Sequence, residues 1–83
     1  MLDISSLIVG ARPEDAPALR GRLEALDGVE VHTVAEDGRM IVTIEAASEQ
    51  DTVNMYEVIS KLPGVLSASM VYHQIESDPD EEA

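Results

Sequence analysis

The chain of 83 residues contains no cysteine, no tryptophan and no phenylalanine. Without cysteine it has neither a disulfide to staple a small fold nor a thiolate to hold a metal, and a reducing compartment suits it. Tyrosine is the sole aromatic type and occurs twice, so no stacking platform for single-stranded nucleic acid is available. Bases are scarce too: five against seventeen acids, a formal charge of −12. Five of the acids (Glu76, Asp78, Asp80, Glu81, Glu82) fall in the last eight residues, and the twelve that remain still leave −7. Phosphate neutralisation supplies most nucleic-acid affinity, so DNA and RNA are excluded as expected partners. An anionic membrane surface would repel the chain as well. No apolar run approaches the roughly 20 residues that span a bilayer. Met1-Leu2-Asp3-Ile4-Ser5 has no basic region ahead of its apolar stretch, so no secretory signal is expected and the reading is a cytoplasmic protein.

What is present is a repeat. Leu26-Asp27-Gly28-Val29 closes a helix-like stretch and opens a strand-like one, and thirty-six positions later Leu62-Pro63-Gly64-Val65 does the same. An apolar run precedes each, Leu7-Ile8-Val9 in the first half and Met40-Ile41-Val42 in the second. Each half reads strand, helix, strand. Joined by a hairpin at Asp37-Gly38, they give β-α-β-β-α-β, an α+β, ferredoxin-like domain. That order builds a four-stranded antiparallel sheet with two helices on one face. The domain is expected over residues 1–75, with 76–83 as an acidic, disordered tail.

The pattern places strands at about Ser5–Gly10, Val29–Ala35, Arg39–Ala46 and Val65–His73. The first helix, about Glu14–Leu26, carries an inward stripe of Ala16, Leu19, Leu23 and Leu26. Ser48 with Asp51 resembles a capping box at the start of the second helix, which turns Val53, Tyr56, Leu62 and Ile59 or Val58 inward, with Met55 as core filler.

With no element left to cover it, the second sheet face is the first place to look for a partner. In the third strand Met40, Val42 and Ile44 face the helices, so Ile41, Thr43 and Glu45 face out. The 36-residue offset sets Ile8 over Ile44, which turns Ser6 and Ile8 inward and Leu7 and Val9 to the open face. In the last strand Leu66, Ala68, Met70 and Tyr72 form the more apolar, inward set, leaving Ser67, Ser69, Val71 and His73 outside. Leu7-Ile8-Val9 is apolar on both sides, as expected of a strand whose two faces are both covered part of the time.

No catalytic set emerges. The two histidines, His32 and His73, have no cysteine to join them. Glu30 and His32 share a strand face, where a surface ion pair is the expected arrangement rather than a metal site. His73 beside Tyr72 and Gln74 is a candidate hydrogen-bonding contact. Glycine is sparse and forms no phosphate-cradling loop. No enzyme activity, cofactor or metal is expected. An acidic chain with an apolar, acid-bearing open sheet reads most simply as a binding module for a basic-apolar segment. The alternative is a small-molecule-binding regulatory domain of the same fold, whose site would need a polar pocket of loop residues such as Arg12 or Asp27.

Three stretches carry a resemblance: Ser5-Ser6-Leu7-Ile8-Val9, Gly38-Arg39-Met40-Ile41-Val42-Thr43-Ile44-Glu45-Ala46, and Leu62-Pro63-Gly64-Val65 followed by Ser69-Met70-Val71-Tyr72-His73-Gln74. In this order and spacing, and with the acidic tail, the chain resembles the NapD family from about Ile4 to Gln74. The resemblance implies a cytoplasmic maturation chaperone of the periplasmic nitrate reductase. Such a protein binds the twin-arginine signal peptide of the catalytic precursor and delays export through the twin-arginine translocase (Tat) until the cofactors are inserted. The chaperone itself carries none. The expected signal-peptide site is the open face: Leu7, Val9, Ile41 and Val71 as an apolar floor, with Thr43, Glu45, Ser69 and His73 around it. Glu45 is the acid expected to reach a peptide arginine. A monomer or a weak dimer is expected.

Overall fold

The computed structural model describes residues 2–76, with side chains from Asp3 to Val71. Strand β1 (Leu2–Gly10) leads through a 3-10 turn at Pro13–Asp15 into helix α1 (Ala16–Glu24). Strands β2 (Val29–Val34) and β3 (Arg39–Ala46) follow as a hairpin, then helix α2 (Glu49–Ser60) and strand β4 (Ser67–Glu76). The strands lie in the order β2-β3-β1-β4, and every neighbouring pair is antiparallel. This is the expected ferredoxin-like sheet with two helices on one face.

Local chemistry explains the ends of these elements. Pro17 sits in the first turn of α1, where its missing N–H forfeits no intrahelical bond. The amides of Asp15 and Ala16 instead donate to Arg12 O in the 3-10 turn, which therefore replaces the start of the helix expected from Glu14. At α2 the Ser48 hydroxyl accepts from the Asp51 amide at 3.1 Å, a cap that contributes about 1 kcal/mol. Gly28 (φ +77°) and Gly38 (φ +94°) take the left-handed conformation that side chains avoid. A Cβ on Gly38 would strike Ala11 O, and one on Gly28 would strike Glu45 O. Both turns thus touch the neighbouring backbone too closely for any other residue.

The core fills the space between the helices and one sheet face. Leu7 and Val9 of β1, Val29 and Val31 of β2, and Met40, Val42 and Ile44 of β3 meet Ala16, Leu19 and Leu23 of α1 and Ile59 of α2. Leu26, Met55, Tyr56 and Leu62 close its margin. The Tyr56 hydroxyl donates to Ala68 O at 2.6 Å and so ties α2 to β4. The inward stripe of α1 is as expected. That of α2 runs through Thr52, Met55, Tyr56 and Ile59, which leaves both Val53 and Val58 exposed. Leu66, expected inward, lies ahead of β4 and is exposed, because its amide is drawn to Gly10 O at 2.8 Å.

The largest correction concerns β1. Leu7 and Val9 have no exposed surface, and Ile8 faces out. Leu7 stands opposite Val42 and Val9 opposite Met40, the inward residues of β3, so pairing settles the parity. The offset of 36 holds for the helix ends but not for the strands. Inward positions run Val9, Ala11 in one half and Ile44, Ala46 in the other, an offset of 35. The first half has one residue fewer between its last inward strand position and Leu26, and the 3-10 turn absorbs the difference.

β4 also departs from strict alternation. Leu7 pairs with Met70 and Ser6 with Tyr72, so Val71 is an extra residue in a bulge. The strand then continues to Glu76, opposite Leu2, beyond the expected boundary at His73. The rest of the expected tail, residues 77–83, lies outside the described residues.

Candidate functional site

Four cross-strand rows make up the open face. Nearest the β2–β3 hairpin are Arg39, Gly10 and Ser67; next come Thr33, Ile41, Ile8 and Ser69. Glu30, Thr43 and Ser6 form the third row, and Ile4 with Glu45 the fourth. Directly opposed residues on one face of an antiparallel pair have Cβ atoms about 4.5–5.5 Å apart, so Ile8 and Ile41 act as one apolar patch. They are 37% and 46% exposed, respectively, although both sit on the two central strands. That is where an uncovered isoleucine most needs explaining.

Beside this pair the sheet forms a hollow of about 210 Å³, lined by Ile8, Thr33, Ala35, Arg39, Met40 and Ile41. It is smaller than the roughly 300–1,000 Å³ of ordinary ligand pockets. Its lining comes from strands and the hairpin, and neither Arg12 nor Asp27 takes part. The polar loop pocket required by the regulatory-domain alternative is therefore not what this hollow offers.

Charge is arranged along the strands. Glu30 and Glu45 lie at the end away from the hairpin, and both are exposed. At the hairpin end the one base, Arg39, is already engaged. Its Nε donates to Asp37 Oδ2 at 2.8 Å and its amide to Asp37 Oδ1 at 3.1 Å. These bonds hold the Asp37 carboxyl below the usual value of 3.8, the backbone amide contributing most. Asp37 is exposed, and its depressed pKa stabilises the hairpin at pH values above 3.8. That support is lost as pH falls through the lower folded value. A carbon-detected titration is expected to place the Asp37 midpoint below 3.8. Arg39→Ala should reverse the shift only in part, since the backbone donor survives.

His32 does not pair with Glu30 as expected. It is the extra residue of a β2 bulge between Val31 and Thr33, and its Nε2 lies 2.8 Å from Thr43 Oγ1. The bond fixes the imidazole over the third row and leaves the Glu30 carboxylate free of it. Among the described residues no group of three or more His, Cys, Asp or Glu side chains is placed to hold a metal ion. No described helix is long and apolar enough to cross a membrane.

Of the eight residues expected at the site, Ile41, Thr43, Glu45 and Ser69 share the open face. Val71 is exposed at the bulge, where no register partner fixes its side. Leu7 and Val9 belong to the core instead. The backbone of His73 pairs with Ser5, and its side chain lies outside those described. Ile8, Thr33 and Glu30 were missed. Pairing of β1 with the unambiguous β3 places Ile8 on this face, whereas Thr33 follows from its pairing with Ile41 past the His32 bulge, for which the sequence carries no signal.

Comparison with known proteins agrees with this architecture. A family model described as "NapD protein" matches residues 2–77. The chaperone NapD of Paracoccus pantotrophus is 38% identical over 82 residues, covering 99% of this chain and 72% of that protein. The solution structure of the Escherichia coli Tat proofreading chaperone NapD superposes with a TM-score of 0.82 at 32% identity, over 96% of this chain and 85% of that one. A transcriptional regulatory protein of the ASNC family from Pyrococcus furiosus shares the fold alone, at 20% identity and a TM-score of 0.72.

Proposed function

The chain belongs to the NapD family, and from that premise we propose that its open sheet face binds a twin-arginine signal peptide. The peptide is that of the periplasmic nitrate reductase catalytic precursor. The chain holds it in the cytoplasm and so delays export until cofactor insertion is complete. The solved relative at 32% identity is named for Tat proofreading, which favours this role. The observation that carries the reading is the pairing of an uncovered Ile8–Ile41 patch with Glu30 and Glu45 on one face.

A twin-arginine signal peptide offers a basic stretch followed by an apolar one. Disordered when free, it folds on the sheet as an amphipathic helix whose apolar side covers Ile8 and Ile41. Glu45, alone or with Glu30, receives a guanidinium. That geometry permits a two-pronged, directional bond, which a lysine ammonium does not make. The charge of −12 draws the basic segment from a distance, an attraction that salt weakens. Holding and then releasing a peptide calls for moderate affinity. A dissociation constant of about 1 μM corresponds to roughly −8 kcal/mol.

Calorimetric titration with a synthetic nitrate reductase signal peptide, beside a twin-lysine version at matched salt, tests this. Micromolar binding that weakens about tenfold or more for the lysine peptide is the expected result. Equal binding of both would reduce the face to a nonspecific acidic attractor. Failure of either to bind would sink the reading.

A further inference from the structure

The open face is not symmetric along its strands, and its asymmetry is of the kind that reads direction. Along β3 the outward residues run Arg39, Ile41, Thr43, Glu45, from the hairpin to the far end. Arg39 is occupied by Asp37, and the apolar hollow opens beside it. Glu30 and Glu45 stand at the opposite end with no lysine or arginine in their rows among the described residues. One end of the face therefore accepts an apolar knob and the other accepts positive charge.

Resting on the function proposed above, we propose that the peptide binds in a single direction and that the face measures a spacing. The arginines sit over Glu30 and Glu45. One bulky apolar side chain farther along enters the hollow between Ile8, Ile41 and Thr33. From Glu45 back to Ile41 is four strand residues, about 13 Å at 3.3–3.4 Å per residue. A helix rises 1.5 Å and turns 100° per residue, so a knob about seven or eight positions after the arginines lies about 10.5–12 Å along, close to that span, and on the same side of the helix. The hollow, about 210 Å³, has room for a single leucine- or phenylalanine-sized side chain. In the reverse direction the apolar segment would cover Glu30 and Glu45, stripping two carboxylates of water without giving them a partner. The arginines would meanwhile meet Arg39 and the two isoleucines.

The absence of cysteine makes direction measurable, because a single introduced thiol can carry a nitroxide. Glu36→Cys places the label at the hairpin end and Ala47→Cys at the far end, both at exposed positions. With an isotope-labelled signal peptide, the label at position 36 is expected to broaden the apolar half. The label at position 47 should broaden the arginines. The reverse pattern, or equal broadening of both halves by each label, overturns the single direction. A peptide with two residues inserted between the arginines and the knob should bind at least tenfold more weakly, since two residues turn a helix by over half a revolution. Unchanged affinity overturns the spacing. Absence of binding by the unaltered peptide to the unaltered chain is a separate outcome, which removes the proposed function itself.

Discussion

Replacing Ile8 and Ile41 together by alanine is expected to weaken capture of the signal peptide by about 30- to 150-fold. Each side chain keeps somewhat under half of its surface open, which a bound helix would cover. At ~25 cal/mol per Å², that burial contributes about 1–1.5 kcal/mol per residue. The pair thus accounts for roughly 2–3 kcal/mol, and every 1.4 kcal/mol is tenfold in affinity. Neither residue belongs to the core, so the sheet itself should lose about 1 kcal/mol or less per site. Titration calorimetry gives the first quantity and thermal unfolding the second. A double variant that binds normally would show that the peptide does not lie on this face. One that unfolds would show that the isoleucines serve the core.

The complementary substitution, Leu7→Ala, is expected to cost the fold about 2–5 kcal/mol. Leu7 is fully buried between Val42 of β3 and the helices, at the centre of the sheet. In a domain of this length each kcal/mol shifts the melting temperature by about 4–8 °C. A fall of roughly 8–40 °C is therefore anticipated, because 2–5 kcal/mol is a large part of the roughly 5–15 kcal/mol that holds a typical domain together. The neighbouring Ile8→Ala should move it far less. The contrast between two adjacent residues tests the strand parity directly, because a one-residue slip in β1 would exchange the two results.

The architecture was legible because it is written in features that survive small errors. The two Gly-Val junctions at Gly28 and Gly64, the Asp37-Gly38 turn and the stripe of α1 each point to the same order of elements. β3 was legible residue by residue, since Met40, Val42 and Ile44 alternate with more polar neighbours. β1 was not. Leu7-Ile8-Val9 is apolar at every position, and the inward positions that precede it are Asp3 and Ser5, polar residues that a pattern reading turns outward. Val53 was misplaced for a related reason: one valine on each side of a helical stripe leaves the stripe's centre ambiguous, and Thr52 took the buried position by bonding to Ser48 O. The bulges at His32 and Val71 come from the fit between strands, which neither strand's own sequence states. Glu45 and Ile41 were assigned to the open face correctly because their strand was unambiguous. The outward facing of Ile8 and Thr33 was missed because their strands were not.

The division of β1 into alternate residues has a consequence for how such a protein changes over generations. Asp3, Ser5, Leu7 and Val9 are committed to the interior, while Ile4, Ser6 and Ile8 between them answer only to whatever lies outside. Thr33, Ile41 and Ser69 have the same freedom on the neighbouring strands. A lineage can therefore exchange one outward residue after another, following a changing peptide of the kind proposed above, with little penalty to folding at any step. Two relatives with nearly identical interiors can come to serve quite different clients.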